Sequence, residues 1–397
     1  MTVLLKNGSI DIFIQDGVIR AVGNDARIIK TADRVIDCTG LTVIPGICDM
    51  HVHLRDPGQT HKEDIFSGCE AAAAGGVTAV VCMPNTTPVV DTPQAVRDIT
   101  ERSKAAKAKV YPCAAITKGL LGKELTDFAA LKAAGAVAVS DDGRPVENTG
   151  LMAQAMIKAQ QAGLKIISHC EDLSLADSRV SENVSTMREI ALADNLGVHI
   201  HIAHVSTQEA LDYILIAKSH GLDITCEVAP HHFALTAQEL TKRDADYKMN
   251  PPLRDSDDVS AIIDELCYDH CGIDCIASDH APHTKSEKAD FDNAPNGVLG
   301  LETLLAVTLT RLYHENNVPL SRIVELLCVN PRRILGIPGG ELSAGSPADI
   351  AVIDLNEEWV VQPAMLCSKS QNSCFKGTKL KGRVKYTLVN GKIMYKN

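Results

Sequence analysis

Residues 49–58 read Asp-Met-His-Val-His-Leu-Arg-Asp-Pro-Gly, with two histidines two apart and an arginine two further on. Side chains alternate along a strand, so His51 and His53 share a face that Arg55 continues. Imidazole nitrogens are good ligands for Zn²⁺ or Mn²⁺, and a guanidinium offers a carboxylate a planar two-donor fork. Taken alone, the motif also fits a polar strand end with satisfied core histidines. Further along, apolar runs end in groups of the same kind: Asp141-Asp142-Gly143, His169, His204 and Asp279. An Asp-Asp-Gly by itself fits a turn or a helix cap as well as a ligand pair. Taken together, the four histidines and two or three carboxylates describe a one- or two-metal hydrolytic site. Two ions about 3.5–4 Å apart share a hydroxide in such sites and lower the pKa of its parent water toward roughly 7.

Five distant stretches must reach one rim for this to work. Eight short β-rich runs cross the middle of the chain: "ICDMHVHL", "VTAVVCMPN", "KVYPCAAIT", "AVAVSDDG", "KIISHCED", "HIHIAHVST", "DITCEVAPHH" and "IDCIASDHAPH". Helical stretches such as "IFSGCEAAAAGG", "TGLMAQAMIKAQQAG" and "TQEALDYILIAKSHG" fall between them, each ending at a glycine as a helix C-cap would. That alternation implies parallel strands joined by crossover helices. Eight units predict a (β/α)8 barrel, the architecture in which catalytic groups come from the carboxyl ends of the strands. Both ends of the chain differ from this middle. They alternate apolar and polar residues in short runs with the turn signals "KNG", "QDG" and "NG". The expectation is a small β-sandwich domain from residues 1–46 and 340–397, around a barrel of residues 47–339.

Composition narrows the function classes. The chain has 397 residues, 45% hydrophobic and 22% charged, which fits a folded globular protein. A net charge of −11 argues against a nucleic-acid or anionic-membrane surface, although a local arginine can still serve an anionic substrate. The stretch Met1–Lys6 lacks the pattern of a secretory signal, and no apolar run approaches the roughly 20 residues of a membrane span. Thirteen scattered cysteines fit buried thiols in a reducing cytoplasm better than a disulfide framework. One local group, Cys267, His270, Cys271 and Cys275, lacks zinc-finger spacing and reads as structural thiols beside a surface histidine. His231, His232, His199 and His201 read as packing or core hydrogen-bonding groups, and Glu171 and Asp172 as supporting or capping residues.

The stretches "PGICDMHVHLRDPG", "MPNTTP", "SDDG", "SHCED", "HIAHVST", "MNPPLR" and "IASDHAPH" resemble the dihydroorotases of the amidohydrolase superfamily. The resemblance covers nearly the whole chain, with "HLRDPG" and "SDHAPH" the most specific parts. It implies reversible interconversion of dihydroorotate and N-carbamoyl-L-aspartate, the ring-closing step of pyrimidine synthesis, through a metal-bound hydroxide. Zn²⁺ is the implied ion, two per subunit in preference to one. His51 and His53 match ligands of the first metal, and His169 and His204 those of the second. Asp142 matches the bridge, chosen over Asp141 by its spacing from His169. Many relatives bridge with a carboxylated lysine, and no lysine stands in "AVAVSDDGRP".

By the same resemblance, Asp279 matches a ligand of the first metal that also acts as general base and acid. His53, Arg55, Asn85 and His283 match substrate-side positions, the last three holding the substrate carboxylate. Asn250 and the backbone at Asn296-Gly297 match positions that read the ring edge. A homodimer and an association with aspartate transcarbamoylase are the implied partnerships.

Two departures stand out. The segment between Glu171 and Val198 is shorter than the family's, and Asn296 replaces a commoner apolar residue, pointing to a main-chain contact there. Two rivals remain. Dihydropyrimidinases, hydantoinases and allantoinases share the fold and rim, but they mostly bridge with lysine and lack the Leu-Arg-Asp-Pro-Gly form. A non-catalytic scaffold for aspartate transcarbamoylase would be expected to lose metal ligands, which this chain keeps.

Overall fold

The computed structural model describes residues 1–29, 31–175, 178–268 and 272–397. Eight strands follow one another around a parallel sheet: β1 (Ile47–Val52), β2 (Val77–Cys82), β3 (Lys109–Ala114), β4 (Ala138–Val139), β5 (Lys165–Ser168), β6 (Ile200–Ile202), β7 (Ile224–Val228) and β8 (Cys275–Ile276). Each pairs with its neighbour in sequence. The ring closes where Val52 bridges His280 and His53 N–H donates to His280 O at 2.8 Å. The chain is therefore a (β/α)8 barrel.

The crossover helices start and stop where local chemistry dictates. Asp64 caps the helix Ile65–Ala74 in a reciprocal box with Ser67, and Thr92, Asn148 and Thr207 cap Pro93–Arg102, Thr149–Ala162 and Gln208–Ser219. Gly135, Gly163 and Gly197 end their helices in the left-handed conformation. The helix Gln208–Ser219 departs from the glycine expectation: it ends at His220, one residue before Gly221. Strand apolar residues sort into two layers. Cys48, Met50, Ala79, Val81, Ile167, Cys275 and Ala277 form a cluster separate from the large one in which Ile47, Val80, Ile166 and Ile276 pack with the helices.

The two ends of the chain build two four-stranded sheets. Thr2–Lys6, Ile12–Gln15, Val18–Val22 and Arg34–Asp37 form one; Thr42–Pro45 joins Ile350–Val360, Lys379–Val389 and Lys392–Lys396 in the other. Val3, Leu5, Ile12 and Ile14 share a buried cluster with Ile350, Val352 and Leu388, so the sheets pack as a small sandwich. The run "RVIDCTGLTVIPG" is thus split between sheets. Asp16-Gly17 and Asn390-Gly391, all at positive φ, make the tight hairpin turns.

No described helix is long and apolar enough to cross a membrane. Of the described cysteines, ten are buried and two exposed, all as free thiols. Within the Cys267 group, His270 and Cys271 lie outside the described residues, while Cys267 is exposed and Cys275 sits inside the barrel.

Candidate active site

β4 and β8 are only two residues long, far shorter than the runs that contain them. Beyond each, the backbone leaves the ladder and turns its acidic residues into the barrel mouth. After β4, Asp141 accepts from the backbone N–H groups of Ile116 and Thr117 and from the Thr117 hydroxyl. That anchors the turn and leaves Asp142 facing the histidines. After β8, Asp279 takes a positive φ of 47°, as do Arg55 (58°) and His204 (31°). Three left-handed non-glycine residues at one rim store backbone strain, which persists where surrounding packing over-determines it. The β1–β2 register also shifts between Asp49 and Val52, beside His51.

These turns bring the expected ligands together. Asp142 Oδ1 lies 3.3 Å from His51 Nε2, 3.6 Å from His169 Nδ1 and 3.8 Å from His204 Nε2, and Oδ2 lies 3.5 Å from His53 Nε2. Asp279 Oδ1 lies 3.1 Å from His53 Nε2 and 3.7 Å from His51 Nε2. Two overlapping donor groups result, His51–His53–Asp142 and Asp142–His169–His204, and Asp142 belongs to both. The fit to divalent cations rests on more than donor type. His51 Nε2, which faces Asp142, is buried without any hydrogen-bond partner, an arrangement that costs free energy unless something else binds it.

Electrostatics follow from burial and mutual charge. Burial opposes ionisation of Asp142, yet His51, His169 and His204 hold its carboxyl well below the usual range. Asp279 is likewise held low against burial by His53 and His51. Against burial, Asp142 and Glu227 raise His51 well above its ordinary value, and Asp142 and Glu171 bring His169 up to about 9.

Outer partners fix the rings. Glu227 Oε1 sits 2.6 Å from His51 Nδ1, Asn85 Oδ1 sits 2.8 Å from His53 Nδ1, and Glu171 Oε2 sits 2.9 Å from His169 Nε2. Asn250 donates to Glu171 at 3.1 Å, and Asn85 donates to Asp142 at 3.2 Å. Of these pairs, Glu227 and His51 are almost wholly buried. His199 and His201 both reach Thr225 Oγ1, and His232 reaches Pro251 O; His201 and His232 are buried, whereas His199 is half-buried at the edge of the core.

The remaining expected residues form the other wall of the same cavity, of about 220 Å³. Arg55, His283, Asn296, Gly297, Asn85 and Asn250 line it with His53, Asp142, His169, His204 and Asp279; His51 lies beneath. Arg55 is buried, bonded to Pro282 O at 3.2 Å, with one guanidinium nitrogen 3.1 Å from His283 Nε2. Burial lowers its pKa to about 10, still charged at neutral pH. His283 Nε2 lies 2.9 Å from Asn296 O, a main-chain contact. Burial, then the charges of Arg55 and Lys62, push His283 down to about 3. Gly297 has φ +133°, and an added Cβ would lie 2.7 Å from Ala281 Cβ, so only glycine fits.

Sequence reasoning missed Glu227, Lys62 and Lys288. Glu227 carries a signal, an acid inside the apolar run of β7. Lys288 joins Lys248 O, Pro295 O and Gly297 O from a loop. No local pattern separates such a lysine from a solvated one.

Known proteins resemble this chain along nearly all of it. The Dihydro-orotase-like family model matches residues 40–183. The dihydroorotase of Acetivibrio thermocellus is 44% identical, with 98% of this chain and 95% of the relative covered. That of Aquifex aeolicus is 42% identical over 98% of this chain and 96% of its own. Among solved structures, the L-hydantoinase (dihydropyrimidinase) of Arthrobacter aurescens superposes with a TM-score of 0.91 at 26% identity, covering 99% of this chain and 96% of that one. Identity on this scale, sustained from end to end, places the chain in the dihydroorotase family.

Proposed function

We propose that the chain is a metal-dependent dihydroorotase, interconverting (S)-dihydroorotate and N-carbamoyl-L-aspartate in pyrimidine synthesis. The observation that carries this reading is the buried Arg55 beside His283 in the same cavity as the histidine–carboxylate rim. A buried guanidinium needs an anionic partner, and the ring carboxylate of dihydroorotate supplies one. A neutral hydantoin would leave it unmatched.

His51, His53, Asp142 and Asp279 would hold one ion and Asp142, His169 and His204 a second, with Zn²⁺ favoured by the nitrogen and carboxylate donors. When bound, such cations acidify water toward neutrality and polarise the ring carbonyl. Asp279 is the general base and acid. Held ionised, it takes a proton from the water that adds to the ring carbonyl carbon and returns it to the ring nitrogen as the carbon–nitrogen bond breaks. Arg55, Asn85 and His283 hold the carboxylate, while Asn250 and the Asn296-Gly297 backbone face the ring edge.

Hydrolysis of dihydroorotate, dihydrouracil, hydantoin and allantoin, compared in metal-supplemented buffer, tests the reading. Dihydroorotate should be the preferred substrate. Turnover of the neutral rings alone would replace this reading with the hydantoinase activity named for the structural relatives.

A further inference from the structure

The loop after β1 sends Lys62 back toward the cavity wall, where it is largely buried. Its ammonium lies 2.8 Å from Glu287 Oε1 and 3.4 Å from His283 Nδ1. An ammonium has three donors and no acceptor, so Nδ1 must present its lone pair to it. At the opposite edge of the ring, Nε2 faces the carbonyl oxygen of Asn296 at 2.9 Å, which favours an N–H there, while the Arg55 donor on the same nitrogen opposes it, so the contact at Nδ1 decides. Both contacts select the same neutral tautomer, with the proton on Nε2, and Glu287 Oε2, 3.8 Å from Nδ1, is beyond hydrogen-bond reach.

That tautomer has a consequence for the wall. The Arg55 nitrogen 3.1 Å from Nε2 is also a donor, so the two groups cannot hydrogen-bond to each other. Two donors converge on one spot and share no acceptor within the pair. A carboxylate, with two oxygens and about four lone pairs, accepts from Arg55 and from Nε2–H as a three-centre bond shared with Asn296 O. Glu287 offsets the charge of Lys62, and Thr284 N–H and Oγ1 fix the Glu287 carboxylate at 2.9 and 2.8 Å.

We infer that Lys62 is a positioning residue that locks His283 as the Nε2–H tautomer and thereby completes the carboxylate-binding pair with Arg55. The inference rests on the dihydroorotase reading for the identity of the carboxylate, but not for the state of the ring.

The metal-loaded enzyme and Lys62→Met, which keeps the length of the stem, are compared by ¹⁵N NMR of labelled histidine. His283→Asn assigns the signal. Wild-type His283 should be protonated at Nε2, and Lys62→Met should mix the two tautomers. KM for dihydroorotate should rise about tenfold in Lys62→Met with a smaller change in kcat, the signature of lost ground-state positioning. Lys62→Arg, which still donates to Nδ1, should recover most of the loss. If Lys62→Met folds poorly, Lys62→Leu, which also lacks a donor, gives the same two readouts. A wild-type ring protonated on Nδ1, or a KM within about twofold of wild type, overturns the inference. A wild-type enzyme inert toward dihydroorotate would instead sink the substrate assignment, leaving the tautomer result to stand or fall by itself.

Discussion

Exchanging the Asp279 carboxylate for an amide changes charge and basicity with little change of shape. Asp279→Asn should lower kcat by about 10²–10⁴-fold, the usual worth of a positioned general base. Bound metal, measured on the same sample, separates a lost base from a lost ligand, and turnover within tenfold of wild type would remove Asp279 from the proton transfer. Glu227 acts one layer behind, through its 2.6 Å contact with His51 Nδ1. Glu227→Gln should weaken divalent-metal binding by about 10–100-fold, measured by competition with a chelator; unchanged affinity would reduce Glu227 to packing. The rim residues were legible in the sequence because each ends an apolar run, where a barrel exposes strand ends to one mouth. Glu227 and Lys62 were not, because what gives them meaning lies far off in sequence: His51 is 176 residues from Glu227, and His283 is 221 from Lys62.

Strands buried on both faces read as unbroken apolar runs, so the eight barrel strands show plainly in the sequence. Their lengths do not. β4 stops at Val139 because Asp141 gathers the N–H groups of Ile116 and Thr117, a pairing no local window reveals. The loop carrying Gly297 shows how such elements shape the site. Gly297→Ala would press against Ala281 and His283, costing about 1–3 kcal/mol by overpacking and raising KM for dihydroorotate; an unchanged melting temperature and KM would refute that constraint. Another element joint carries a pH signature. Glu302, just before the helix Leu304–Thr308, accepts from the N–H groups of Cys367 and Ser368 at 2.8 and 3.2 Å. Burial pushes its pKa from the ordinary 4.5 up to about 7. The folded state then binds the proton more tightly than the unfolded chain, so stability falls as pH rises from 4.5 to 7. Glu302→Gln, neutral at every pH, should match wild type near pH 4.5 and exceed it by up to about 3 kcal/mol at pH 8. Parallel unfolding curves with a constant offset across that range would show that Glu302 ionises freely in the fold.

At the scale of the whole molecule, the barrel works at one end and is fastened at the other. The carboxyl ends of the strands carry the rim, while the starts of β1 and β2 meet Arg332, from the helix Asn330–Leu335. Its guanidinium is fully buried and donates to Gly46 O at 2.8 Å, Cys328 O at 3.1 Å and Thr78 Oγ1 at 2.9 Å. It thus ties this helix to the point where the chain passes from the sandwich into β1. The sequence offers Arg332 and Arg333 side by side, and only the fold distinguishes the buried one from the exposed one. Arg332→Met keeps the stem but strips three buried acceptors of their donor, at about 1–3 kcal/mol for each group left unpaired. The urea midpoint should fall with the slope of the transition unchanged, because the surface exposed on unfolding stays the same. Arg333→Met should leave the midpoint in place. KM for dihydroorotate should hold in both variants, since neither side chain touches the rim. A midpoint for Arg332→Met equal to that of Arg333→Met would show that this buried fastening contributes nothing to holding sandwich and barrel together.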